Sequence, residues 1–351
     1  MLRIIILACA LACTSVATAE IKRTPGGKPD LSGSFDSGTL TPLNRPERFA
    51  DKQFMTKEEA DTRVRNTLAN REKANEASDP ERGAPSEGGD GSGGGRGGAG
   101  GTGGYNSFWL DPGSFISEVD GKFRTSIVYD PPNGQQPPRT EKGEALMAQN
   151  FASFQYLNDG TASWLANAGT GPFDGPETLA MAERCLVGFS AGPPSLPGVY
   201  NNFKRIVQTE DHVMILMEMV HDARVIRLNS EHPPVANRQW LGDSIGWWEG
   251  DTLVVDTTNF KARTGLYGGD ENLHLVERFS RMEDGNLLYN FTVDDPTAWT
   301  ASWSGEYMWK ASDGKVYEYA CHEGNYAMGN ILRGARLLES EYTGPVASGE
   351  E

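Results

Sequence analysis

The 351-residue chain carries 48 acidic against 32 basic residues, a formal net charge of −16. Such a surface repels nucleic-acid phosphates and anionic lipid alike, which argues against both as partners and fits a neutral or cationic small-molecule ligand or substrate, or a solvated surface with no partner. Oligomeric state is not legible at this level.

Met1, Leu2 and Arg3 make a short basic start before the apolar run IIILACALAC, and Ala17-Thr18-Ala19 offers small residues for cleavage. That pattern predicts a signal peptide over 1–19 and a periplasmic or secreted protein, with no membrane insertion after cleavage. A lipid-modified Cys13 is the weaker alternative. Cleavage removes Cys9 and Cys13, leaving Cys185 and Cys321. In an oxidising compartment these two are predicted to form one disulfide, two separate buried thiols being the alternative.

Residues 20–77 read as an extended Pro- and Gly-rich arm with one helix. Thr56 and Glu59 form a capping box ahead of TKEEADTRVRNTLANREKA. In 88–104, 12 of 17 residues are glycine, without the flanking strand and helix that a phosphate-binding loop requires. Residues 78–104 are therefore expected to be a flexible linker or insertion. A β-rich ligand-binding or catalytic domain is assigned to 105–340 and a disordered tail to 341–351.

Within that domain, FISEVDGKFRTSIVYDPP reads as a hairpin turning at Asp120-Gly121. KGEALMAQNFASFQYL and PETLAMAERCLV fit short helices. From Phe203 onward, apolar alternation predicts about nine strands, punctuated by turns at Gly250-Asp251, Asp284-Gly285 and Asp313-Gly314. Consecutive strands without intervening helices predict a mainly β fold, an antiparallel up-and-down β-barrel with a few peripheral helices. An open meander or sandwich is the alternative. The tryptophans either fill this barrel or line a ligand cavity in it.

The stretches KPDLSG, HDARVIRLN, RQWLGDSIGWWEGDTLVVDTTNF, LHLVERF, DDPTAWT and YACHEGNY resemble a family of uncharacterised secreted bacterial proteins over about residues 21 to 339. The resemblance implies a secreted globular protein and leaves its reaction open. Against it, the glycine-rich segment stands as an insertion, and SGSF occupies a place where an aromatic is expected.

All five histidines lie in the β-rich half. His221 falls where one strand turns into the next, so His221, Asp222 and Arg224 are candidates for acid/base, orienting carboxylate and substrate clamp. A local Asp222–Arg224 salt bridge beside a solvated histidine is the alternative. In YACHEGNY, strand alternation sends Cys321 and His322 to opposite faces, against a Cys–His nucleophilic pair. His322, Glu323 and Tyr326 are then candidates on a loop anchored by the disulfide, or plain turn chemistry. Tyr200, Asn202, Trp240 and Trp248 are candidate substrate-binding residues. No His-x-His, H-E-x-x-H or Cys-x-x-C is present, so neither a metal nor another cofactor is expected.

These features support a cofactor-free lyase, isomerase or hydrolase working by acid–base chemistry on a small aromatic or polycyclic molecule. A lipocalin-like carrier and an envelope interaction protein are the alternatives. Convergent ionisable groups in a cavity favour catalysis, and an apolar wall favours carriage.

Overall fold

The computed structural model describes residues 21–74, 81, 110–156, 160–167, 169–189, 192–263, 266 and 268–347. Most of the predicted 78–104 linker lies outside them.

Alternation of apolar and polar residues sets the architecture. After the short strand β1 (Gly33–Asp36) come β2 (Phe54–Met55), helix α1 (Lys57–Ala74), β3 (Glu118–Val119), β4 (Lys122–Arg124) and β5 (Val128–Asp130). Helices α2 (Glu141–Asn150) and α3 (Ala152–Gln155) precede β6 (Phe203–Gln208), β7 (His212–Met217) and β8 (Ala223–Leu228). Then follow β9 (Asp243–Glu249), β10 (Thr252–Thr258), β11 (His274–Arg281), β12 (Leu287–Asp294), β13 (Trp303–Ala311) and the terminal helix α4 (Tyr326–Glu341). The strands β6 to β13 pair in sequence order, and β1 bridges β6 and β13, closing a nine-stranded barrel. Strand β5 adds to the outside of the β13 edge, while β2, β4 and β3 form a separate small sheet.

The barrel is mixed rather than purely antiparallel, because β8 and β9 run parallel. Parity requires this. A closed ring whose neighbours all alternate in direction needs an even number of strands, so nine strands must contain a parallel pair. Residues 229–242 supply the crossover connection that a parallel pair needs.

Other local expectations are met or corrected residue by residue. Thr56 N–H donates to Glu59 Oε2 at 2.7 Å and Glu59 N–H to Thr56 Oγ1 at 3.2 Å, the predicted capping box. Asp120 and Gly121 take positive φ at the β3–β4 turn. Cys185 and Cys321 are disulfide-bonded. The ninth strand is not the expected one, since 312–321 forms no strand and β1 of the N-terminal arm takes its place. PETLAMAERCLV forms only a 3-10 turn over Pro176–Thr178, followed by irregular turns.

The lumen is filled by side chains. Phe35, Phe279, Phe291, Trp303, Tyr289, Tyr307 and Trp309 are all at most 1% exposed. Gly305 is essential to this packing, because a Cβ there would stand 2.4 Å from the Phe291 ring. Among the described residues, these side chains occupy the space that a lipocalin-like cavity would need along these strands.

Three inward-facing strand positions, Lys204, Arg224 and Glu277, carry ionisable side chains. On β6 the burial alternates so that Lys204 and Ile206 face inward. The Lys204 ammonium lies 5.5 Å from the Trp309 ring centre and makes no ion pair among the described residues. Burial lowers its pKa from 10.5 to about 8, against the pull of Asp36 and Glu218. The unfolded lysine therefore binds a proton that the folded one has released between about pH 8 and 10.5. Stability should rise with pH across that window, the charged form below it being the destabilised one. Replacing Lys204 by Met should abolish the rise and add about 1–3 kcal/mol at pH 7, measured by urea unfolding at both ends of the window.

Candidate functional site

The barrel rim at which β7 ends and β8 begins is built on a strained turn. A single 3-10 turn spans Met219–His221, and within it Val220 (φ 58°) and His221 (φ 46°) take left-handed conformations. A β-branched residue there is strained, and such strain persists only where surrounding contacts enforce it. One of those contacts is a hydrogen bond from His221 Nδ1 to the Tyr319 carbonyl at 2.9 Å. Because a carbonyl only accepts, Nδ1 carries the proton.

On one side of this turn lies a cleft of about 580 Å³, walled by Asp222, Arg224, Arg227, Arg238, Trp240 and Lys261. Asp222 Oδ2 is buried and has no hydrogen-bond partner among the described residues. Burial lifts this carboxyl from 3.8 to about 6, with His221 pulling the other way. The cations of the cleft are mostly committed. Arg224 holds Glu277 at 2.5 and 3.1 Å, with the pair 6% and 0% exposed. Burial opposes the Arg224 charge, and the Glu277 carboxylate outweighs it. Tyr289 Oη donates to Glu277 Oε1 at 2.7 Å and accepts from Ser195 N–H at 2.9 Å, so Glu277 is bonded on both oxygens. Arg227 pairs with Asp243 at 2.7 Å, and Arg238 donates to the Phe260 and Glu271 carbonyls. Among the described residues, Lys261 alone of these cations has only an aromatic partner for its ammonium, which lies 4.8 Å from the Trp240 ring centre. The cleft thus presents one uncommitted carboxyl, one uncommitted ammonium and an indole.

On the other side of the turn is a groove of about 950 Å³ with mostly apolar walls. Tyr200, Glu218, Tyr317, Tyr319, Met328 and Ile331 line it together with both cysteines. Adjacent residues Cys185 and Leu186 face the groove and the cleft respectively, so the two are neighbours. Burial, then the neighbouring Tyr319, raises the Tyr200 phenol.

No protein-family model matches this chain, and no curated protein is significantly similar to it.

Of the residues singled out from sequence, Asp222, Arg224 and Trp240 share the cleft. His221 braces the turn between cleft and groove and lines neither. His322 and Glu323 are exposed in the turn before α4, and Tyr326 at the head of that helix is 79% exposed. Tyr200 lines the groove. Asn202 is committed to bracing a loop, accepting from Gly198 N–H and donating to the Asp111 and Gly198 carbonyls. Trp248 sits beside the β9–β10 turn, at the opposite end of the barrel, with Lys28 5.9 Å from its ring centre.

Glu277, Lys261 and Arg238 were not singled out. Alternation in LHLVERF places Glu277 on the face of Leu275 and Phe279, a carboxylate among core positions, and that was the readable signal. It also places His274 on the opposite face. Lys261 and Arg238 come from loops that only the tertiary fold brings together. Among the described residues no cluster of three or more His, Cys, Asp or Glu side chains is arranged to hold a metal, and no helix is long and apolar enough to cross a membrane.

Proposed function

We propose that this protein is an extracytoplasmic enzyme of lyase, isomerase or hydrolase type, acting by acid–base chemistry on a small planar molecule bound in the rim cleft. The observation that carries the reading is Asp222, a carboxyl with one buried, unpartnered oxygen at the cleft wall. A carboxyl titrating near 6 is available in both forms close to neutral pH, as a general acid or base requires. Trp240 offers a stacking surface and Lys261 a counter-charge for a substrate oxygen. Arg224 acts from below, held charged by Glu277 and bounding the floor. The disulfide and the leader-like first residues support delivery to the periplasm or the exterior.

The apolar, tyrosine-lined groove beside the cleft favours a second reading, carriage of a hydrophobic molecule without chemistry. One screen separates the two. Wild type, Asp222→Asn and Tyr200→Ala are challenged with a panel of phenols, aromatic carboxylates and their esters, scoring binding by thermal shift and turnover by chromatography. Catalysis predicts turnover that falls about 10²–10⁴-fold in Asp222→Asn while binding persists. Binding lost only in Tyr200→Ala, with no turnover by wild type, supports carriage instead.

A further inference from the structure

At the edge of the cleft, on the outer face of the barrel, five side chains are joined in a row, two of which, Asp243 and Arg227, also line the cleft. His274 Nε2 meets Asp256 Oδ2 at 2.7 Å, and Asp256 Oδ1 meets His232 Nε2 at 2.9 Å. His232 Nδ1 then meets Asp243 Oδ1 at 2.7 Å, and Arg227 closes the row on Asp243. Asp243, Asp256 and His274 stand on three adjacent strands, β9, β10 and β11. His232 stands on none of them. It belongs to the 229–242 crossover, the segment that brings Arg238 and Trp240 to the cleft.

Hydrogen counting gives this bridge a property of its own. An ionised carboxylate only accepts, so His232 bonds both aspartates only while both ring nitrogens carry protons. Removing either proton turns one of the two bonds into a contact between lone pairs. Further ties of the crossover include Asn259 Nδ2 to the Pro233 carbonyl, Arg238 to two carbonyls and the Glu271 carboxylate, and Arg227 to Ser230 Oγ. They also include Gln239 N–H to the Asn259 carbonyl, Lys261 N–H to the Gln239 carbonyl, Asn229 N–H to the Gly246 carbonyl, and the Lys261 ammonium over the Trp240 ring. None of these involves a histidine.

We propose that His232 is a positioning residue, a titratable clasp that holds the Trp240-bearing crossover against the barrel when doubly protonated and releases it when it loses a proton. As a device for the rim cleft it rests on the function proposed above, and it makes that cleft's aromatic wall pH-gated. The charged and titratable groups around the ring come from each neighbouring element. Asp243 on β9 and Asp256 on β10 contact the ring, Arg227 on β8 pairs with Asp243, and His274 on β11 shares Asp256. Glu231 precedes the ring in the chain, and Asp294 on β12 acts on His274. Hydrogen bonding to Asp256 raises the His274 pKa, so that Asp256 stays shared as pH rises. The clasp is therefore closed at low pH and opens as pH increases.

The test needs no substrate. The full chain is labelled with 5-fluorotryptophan, the Trp240 line is assigned with Trp240→Phe, and its fluorine shift is followed from about pH 5 to 9, the range that brackets histidine titration. Wild type is expected to show one transition in the Trp240 line. His232→Gln should lose it, with the line held at its high-pH position throughout. His274→Gln should keep it with a higher midpoint, because a competing cation has gone. The lines of buried Trp303 and Trp309 report whether each variant is folded, and His232→Asn provides a second clasp-free variant. A Trp240 line independent of pH in wild type, or an unchanged transition in His232→Gln, would overturn the proposal. Loss of the enzyme reading, through absence of turnover by wild type, would leave these results unaffected.

Discussion

Replacing Glu277 by alanine is expected to lower the stability of the protein by about 3–5 kcal/mol, the usual cost of stranding one member of a buried ion pair. The substitution leaves the Arg224 guanidinium, 6% exposed, without a counter-charge, and deprives the Tyr289 hydroxyl of its acceptor. Glu277→Gln keeps an acceptor for Tyr289 but not the charge, and should fall between alanine and wild type. The informative companion is the double variant Arg224→Met with Glu277→Leu. A packed apolar pair carries no desolvation cost, so most of the loss should be recovered. Chemical denaturation of the four proteins measures the series. A Glu277→Ala variant within about 0.5 kcal/mol of wild type would show that the pair is not buried as described.

Removing the Cys185–Cys321 bond is the second large expected effect. Its cysteines are 136 residues apart in sequence, and the chain-entropy model values a loop of that size at roughly 4–5 kcal/mol. The bond also ties the strand-free 312–321 segment and the approach to α4 to the turn at 185, two walls of the tyrosine-lined groove. The Cys185→Ser, Cys321→Ser variant should therefore melt well below wild type and lose protection from proteolysis around 312–325. If reductant leaves the melting temperature of wild type unchanged, the cross-link is not stabilising the fold.

Much of the barrel was legible because its signals are local. Strands β6 to β13 largely show period-two burial, as in β12 with Leu287, Tyr289, Phe291 and Val293 inward, and the Gly250-Asp251 and Asp284-Gly285 turns separate two pairs of them. What stayed hidden is non-local. Strand β1 is four residues in a Pro- and Gly-rich arm and buries only Phe35, so nothing in its own sequence marks it as the closing strand. Conversely, VYEYA alternates like a strand, but the β13 edge it would need is already taken by β1 and β5. The parallel β8–β9 pair follows from the odd strand count, which depended on identifying β1. Helix α4 has apolar residues at helical spacing, Met328, Ile331, Leu332, Ala335 and Leu338. Gly329 and Gly334 weaken that signal, each costing about 1 kcal/mol in a helix interior.

At the rim, HDAR marked the turn, but not how its side chains are engaged. The histidine braces the backbone, the arginine is spent on a glutamate from β11, and the aspartate is left as the titratable group facing the cleft. Partners that arrive from another strand are invisible in a local motif. The clasp histidine shows the same limit, since His232 is bonded by aspartates 11 and 24 positions away.

The claim that Asp222 is the acid–base group of a functional cleft is tested most directly by titrating its carboxyl carbon in ¹³C-labelled, disulfide-bonded protein, assigned against Asp222→Asn. A midpoint near 6, shifted when an aromatic ligand occupies the cleft, is the predicted result, whereas a midpoint at the ordinary 3.8 that ignores every ligand would contradict it.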